Sequence, residues 1–287
     1  MRLGSISGGR FDLAPRAIRE ALDRYVAHAP DEPSRLADVA VQVQVFEDMH
    51  DVARLSPADA FDQIRRHVTV AIEDDVGRIQ TDRALVILGG DNSITRPGVH
   101  AAAAHSSLER TGLITIDAHH DLRPLDRGPT NGNPVRALLE DGISGQNVVQ
   151  IGIQPFANSK AASDVAREAG VEVVTATDVR QRGMETVMGR ALDRLSRAVD
   201  GIYVDLDVDA LDRAFAPASP GSRPGGLSPL EVQQAARICG AHLKVRAMDV
   251  VEVDPERDVA DITVLAAASF VLSFAAGLAS REVKGEA

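Results

Sequence analysis

The stretch ITIDAHHDLR, residues 114–123, begins as an apolar strand and breaks into Asp117, His119, His120 and Asp121. An unpaired charge buried at such a position costs several kcal/mol, or the group neutralises itself. These side chains therefore need a partner. In D-x-H-x-D the residues Asp117, His119 and Asp121 occupy alternate positions, so an extended backbone aims all three to one side. The same device recurs in IYVDLDVDALD (202–212), where Asp205, Asp207 and Asp209 alternate.

Outward from this stretch, short apolar runs alternate with amphipathic ones. Strand-like segments occur at 39–46 (VAVQVQVF), 84–88 (ALVIL), 113–117 (LITID), 147–152 (NVVQIG), 171–175 (VEVVT), 202–207 (IYVDLD) and 245–253 (VRAMDVVEV). Helical patterns separate them: PRAIREALDRYVA after a Pro start, a long stretch opened by Ser56-Pro57, and one opened by Ser228-Pro229 whose Glu231 completes a capping box and which stops at Gly240. A final helix from about Asp261 to Ala279 is apolar nearly all round, which suits a helix packed between sheet and neighbours better than a membrane span. This order predicts an α/β fold of three layers, α-β-α, around a mostly parallel central sheet. No linker or internal repeat divides it, so residues 1–287 read as a single domain. The Pro/Gly-rich segment APASPGSRPGG (216–226) is longer than a turn needs, and loops of that kind inside a compact domain are often functional.

Composition narrows the partners. At 287 residues and 44% hydrophobic, the chain can bury a full core. A formal net charge of −11 argues against nucleic acid or an anionic membrane as partner, and 3% aromatic residues leave little for base stacking. The N-terminus MRLGSISGGRFD lacks the basic and apolar regions of a signal peptide. The single cysteine, Cys239, cannot form an internal disulfide and reads as a plain buried thiol. The expectation is a cytoplasmic protein acting on a small molecule.

Ligands of open α/β sheets collect at the carboxyl ends of strands, and the polar clusters fall there. ALVIL runs into GGDNS (89–93), LITID into AHHD, IYVDLD into VDALD, and AMDVV into EVD. A lone Asp or His at such an end is usually a cap or a hydrogen-bonded support; four coincident clusters point to one site. Carboxylates this crowded repel one another unless cations neutralise them. With one imidazole, no cysteine and mostly oxygen donors, Mn²⁺ suits the set best, with Mg²⁺, Fe²⁺ or Co²⁺ as alternatives. The donors outnumber what one small cation uses, which implies two metals bridged by carboxylate and by a water-derived hydroxide that acts as nucleophile.

At these residues the chain resembles the ureohydrolase (arginase/agmatinase) superfamily, whose signatures GGDHS, DAHxD and SxDxDxxDP stand at strand ends in this order. GGDNS, DAHHDLR (117–123), GPTNGNPVR (128–136), GIQPFANS (152–159) and VVEVDP (250–255) are together similar to the formimidoylglutamases within it, from about Gly8 to the final helix. The resemblance implies the arginase-like fold, two Mn²⁺ per subunit and a homo-oligomer. It implies Asp117 and Asp207 as bridging carboxylates, His119 and Asp209 as ligands of one metal, and Asp121 as ligand of the other. Asn92 falls where arginases have a ligating histidine, so the metal beside it should bind more loosely. Glu252 matches the carboxylate that grips the substrate's amidinium or guanidinium, the alternative being an ion pair with Arg246 or Arg257. Asn131 occupies the place of an arginase histidine proposed to shuttle protons, which leaves Asp121 as proton carrier. Asp205 stands where most relatives have Ser and reads as a support for the ligands. His120 alternates away from the ligand side and is either a substrate-pocket group or a packed histidine.

Some positions depart from the pattern. Gln154 and Leu265 stand where relatives often have arginine; Arg123 and Arg136 remain as candidates to hold a substrate carboxylate, or as solvated surface groups. Only MRLGSIS precedes the segment matching SGGRFDLAP, so the first strand is expected to be a stub or the start truncated. The expected reaction is hydrolysis of N-formimidoyl-L-glutamate to L-glutamate and formamide. The alternatives are a guanidino-acid ureohydrolase releasing urea and a metal-binding relative that has lost catalysis.

Overall fold

A computed structural model describes residues 6, 8–26, 55–73 and 83–281. The strand expected at 39–46 lies outside the described residues. The others form one sheet: β1 (Leu85–Leu88), β2 (Thr111–Ile116), β3 (Val148–Ile153), β4 (Glu172–Thr175), β5 (Gly201–Asp207) and β6 (Val245–Val251). Their order is β1-β6-β5-β2-β3-β4, and every pairing is parallel. Parallel strands need crossovers, and helices supply them. These are α1 (Ala14–Leu22), α2 (Pro57–Ile72), α3 (Thr95–Ala102), α4 (Pro134–Asp141), α5 (Lys160–Ala169), α6 (Ala176–Arg182), α7 (Met184–Ala198), α8 (Pro229–Ala241) and α9 (Ile262–Ala279).

Period-2 alternation along each strand sends neighbouring residues into opposite layers. Ile114, Ile116, Ile202, Val204 and Met248 pack with α1, α7, α8 and α9, whereas Leu113, Tyr203 and Ala247 pack with α2, α3 and α4. The strands are apolar because both faces are covered. Local chemistry sets the helix starts. Ser56 and Ser228 cap α2 and α8 through their hydroxyls, and Glu231 closes the capping box at α8 as its spacing predicts. The apolar helix α9 is of a length and composition that could cross a membrane, yet Phe270 and Phe274 are fully buried and Gly240 and Gly277 bring α8 and α9 into backbone contact. A Cβ at either glycine would collide with the facing helix.

The four strands whose ends carry polar clusters, β1, β6, β5 and β2, are contiguous in the sheet. Sequence order then reverses: β2 is followed outward by β3 and β4, while the chain returns to β5 on its other side. This reversal is the switch point at which open α/β sheets bind ligands.

Candidate metal centre

At three of these strand ends, those of β1, β2 and β5, an aspartate turns the chain out of the sheet by accepting the backbone N–H two residues on. Asp91 receives Ser93 N at 3.1 Å, Asp117 receives His119 N at 2.6 Å and Asp207 receives Asp209 N at 2.8 Å. This local bond satisfies a backbone donor and fixes the direction of the next polar side chain. Candidate ligand atoms of Asp117, His119 and Asp209 consequently lie within 4.8 Å of one another. Asp209 is further fixed by Ala118 N at 3.2 Å and by close packing of Gly221, where any Cβ would strike its carboxylate. Asp207, Asp121 and Glu252 face the same cavity of about 370 Å³.

The electrostatics are those of a cation site. Burial and then Asp209 push the Asp117 carboxyl up to about 7, and burial with its carboxylate neighbours holds Asp121 and Asp207 well above the ordinary range. Burial works against charge on His119, but Asp209, 2.8 Å away, and Asp117 outweigh it and raise the imidazolium to about 12. A proton held that firmly among oxygens marks a place where positive charge belongs. The donor set of carboxylates and one imidazole fits a hard or borderline divalent ion.

Two residues of the site stand in the left-handed region, Asp121 at φ 53° and Glu252 at φ 64°. Such backbone costs about 1–3 kcal/mol and persists where surroundings over-determine it. Asp121 is pinned by Arg136 N on its carbonyl at 3.1 Å and by Asn92 Nδ2 on its carboxylate at 2.7 Å. Glu252 donates its N–H to Gly90 O, while its Oε1 accepts Asn92 N and Asn131 Nδ2, both at 2.9 Å. Burial and then Asp91 raise its carboxyl to about 8, although the two bonds oppose the shift. Asn131 in turn accepts Ile6 N at 3.0 Å.

At several positions the structure chooses among the alternatives that spacing left open. His120 does not face the cavity: it is 3% exposed, its Nδ1 meets Gln150 Oε1 at 2.7 Å and its Nε2 meets Ser163 Oγ at 3.2 Å. Gln150 and Ser163 hold its ring away from the cavity, so of the two alternatives it is the packed histidine. Asn92 stands at the edge of the site with its Nδ2 on Asp121 and its Oδ1 receiving Thr95 Oγ1. Arg123 lines the cavity, whereas Arg136 pairs with Glu140 at 2.7 Å. Gln154 is buried beneath the site, its Nε2 on Ala210 O at 3.1 Å, and Leu265 packs into the core layer. Neither position lines the cavity, so an arginine missing there removes no wall of it.

Asp205 is fully buried beside Asp249, its register partner on β6. Asp249 accepts Tyr203 Oη at 2.8 Å, Thr95 Oγ1 at 3.0 Å and Leu206 N at 3.2 Å, and burial still raises it to about 6. Burial and then Asp249 push the Asp205 carboxyl well above the usual range. Asp249, Tyr203 and Thr95 form a polar floor that supports Asn92 from below. The sequence signal for that floor was present: IYVDLD and AMDVV each place an Asp inside an apolar strand.

The arginase family model matches residues 6–277. The chain belongs to the arginase family. Among arginase-family relatives it is 38% identical to a formimidoylglutamase of Halalkalibacterium halodurans, over 95% of this chain and 83% of that protein. It is 29% identical to an arginase of Staphylococcus aureus, over 92% of this chain and 90% of that one. A crystal structure of formimidoylglutamase from Bacillus subtilis superposes with a TM-score of 0.82 at 31% identity, covering 97% of this chain and 84% of that one.

Proposed function

We propose that the chain, folded as one domain, is a two-metal amidine hydrolase that converts N-formimidoyl-L-glutamate and water to L-glutamate and formamide. The observation that carries this reading is the convergence of Asp117, His119 and Asp209 within 4.8 Å, with Asp121 and Glu252 in the same cavity. The relation to formimidoylglutamases supports the substrate. Asp117, His119, Asp121, Asp207 and Asp209 would hold two Mn²⁺, Asn92 standing at the edge of the looser site. When bound, the ions supply Lewis acidity toward water and substrate.

The chain's own groups do the rest. Glu252 holds the amidinium through a charge-assisted pair, its orientation set by Asn92 N and Asn131 Nδ2. Asp121, held by Asn92, takes the proton that water sheds as its oxygen bonds to the amidine carbon. It returns that proton to the nitrogen of glutamate as the C–N bond breaks, leaving formamide. Behind the site, Thr95, Tyr203, Asp249 and Gln154 are all buried. A cytoplasmic homo-oligomer completes the proposal; the single buried thiol suits a reducing compartment, and the apolar Val271, Leu272 and Leu278 of α9 are only half-buried.

The deciding assay loads the protein with Mn²⁺ and offers formimidoylglutamate, arginine, agmatine and guanidinobutyrate, with formamide and urea measured separately. Formamide from the first substrate at a kcat/KM at least about 100-fold above any urea release is the expected result, a ratio in the range of site-built discrimination. Dominant urea release would establish the guanidino-acid alternative. No turnover on any substrate at full metal loading would make the chain a catalytically silent relative.

Asn92→His is expected to tighten the looser metal about tenfold or more, because imidazole replaces a neutral amide as donor. The change also removes the Nδ2 bond that holds Asp121, so kcat should not rise with affinity. Mn²⁺ titration of metal-free wild type and variant, followed by binding and by hydrolysis, checks both halves. Equal affinity at both sites would remove Asn92 from the ligands.

A further inference from the structure

The Pro/Gly-rich loop 216–226 folds against the metal centre: Gly221 abuts Asp209, and two residues on Arg223 lines the cavity. The loop is anchored from outside by Arg180 Nη2 on Gly225 O at 2.7 Å and by Asp212, which accepts Gly225 N at 2.6 Å. Arg223 braces it from within, its Nη1 directed at the carbonyls of Pro220, Gly221 and Ser222 at 2.9–3.3 Å. A guanidinium carries five N–H donors in a rigid fork. Among the described residues, those carbonyls are the only partners of the Arg223 side chain, and no carboxylate pairs with it. On the Asp121 side of the cavity stands Arg123, whose stem packs on Gly132 and which likewise has no carboxylate partner among the described residues. Apart from His119, these two arginines are the cationic residues of a wall that otherwise presents Asp121, Asp207, Asp209 and Glu252.

We propose that Arg223 is a substrate-binding residue that grips one carboxylate of a dicarboxylate amidine, with Arg123 facing the other. This assignment rests on the function proposed above. An amidine of glutamate is a cation at one end and a double anion at the other. Glu252 takes the amidinium, and the anionic end requires positive charge at the rim. A pre-braced planar fork meets a carboxylate bidentately and loses little freedom in doing so.

The test compares wild type, Arg223→Ala and Arg223→Lys, each loaded with Mn²⁺, on three substrates: N-formimidoyl-L-glutamate, N-formimidoyl-4-aminobutyrate and N-formimidoyl-L-2-aminobutyrate. Each of the last two lacks one carboxylate. Arg223→Ala is expected to lower kcat/KM on the dicarboxylate by about 10- to 100-fold, mostly through KM. On the analogue missing the carboxylate that Arg223 holds, it should match wild type. Lysine should restore only part, since a point charge lacks the fork. Metal content and melting temperature are read in parallel. An equal loss on all three substrates, or no loss, overturns the assignment while the hydrolase reading stands. A wild type inactive on formimidoylglutamate overturns both.

Discussion

Glu252→Gln is expected to lower kcat/KM by about two to three orders of magnitude, as expected when one preorganised charge is removed from a water-poor site, with Mn²⁺ content unchanged. The substitution isolates charge from shape. Oε1 of Glu252 accepts Asn92 N and Asn131 Nδ2, and a glutamine oxygen keeps both bonds. The side chain that replaces it fills the same volume, and its backbone keeps the bond to Gly90 O. What disappears is the anion. In the resting site, burial and then Asp91 hold the carboxyl proton up to about 8, so the group becomes a full carboxylate when a cation arrives. An amidinium is such a cation, and the pair it forms is charge-assisted and bidentate. With its oxygen kept on Asn92 N and Asn131 Nδ2, the glutamine presents its NH₂, a donor, to the N–H groups of the amidinium, where the carboxylate presented an anionic acceptor. Steady-state kinetics on Mn²⁺-loaded protein and elemental analysis check the result. Near wild-type turnover would reassign Glu252 to structure, and so would loss of metal.

Most of the sheet and the clustering of Asp117, His119 and Asp209 were legible in the sequence, for a physical reason. A parallel strand covered on both faces is an unbroken apolar run, so β2, β5 and β6 announce themselves. The aspartates that follow them cannot be explained by burial. Spacing put Asp117, His119 and Asp121 on one side and His120 on the other, and the structure reaches that division through the turn closed by Asp117 on His119 N, with Gln150 and Ser163 around the His120 ring. What the sequence left open lies in contacts between segments far apart in the chain. The order β1-β6-β5-β2 brings four clusters together, and no local pattern encodes that adjacency. The register Asp205↔Asp249 is likewise a property of two strands at once. The orientation of Asn92 depends on Thr95 and Asp121, so its residue type alone could suggest a ligand but not the direction in which its amide points. Nor does the composition of the loop 216–226 say that Arg223 is the residue it sets on the cavity.

Mn²⁺ loading is expected to raise the melting temperature of the metal-free protein by on the order of 5–15 °C, and Asp117→Asn to abolish most of that gain. Asp117, Asp121, Asp207 and Glu252 are buried carboxyls held above their ordinary range by burial and by one another. A carboxyl whose folded value is raised binds its proton more tightly than the unfolded chain does. Its contribution is present below the unfolded value and is lost as pH climbs, for Asp117 up to about 7. At neutral pH the metal-free site therefore works against the fold. Cations reverse this: they bind the folded arrangement, and stability rises with the logarithm of free ion over its dissociation constant. Because ligands must shed protons to bind, loading should demand more Mn²⁺ at pH 6 than at pH 8. Asp117 is the sharpest probe. Its carboxylate stands with His119 and Asp209 in the tight group and also caps the backbone of His119 at 2.6 Å, a bond that an amide oxygen keeps. The asparagine variant should thus fold but respond weakly to metal. Thermal melts with and without Mn²⁺, alongside calorimetric titration at both pH values, decide the matter. A wild type whose melting temperature ignores millimolar Mn²⁺, or an Asp117→Asn protein that gains as much as wild type, would show that these converging carboxylates are not a metal centre.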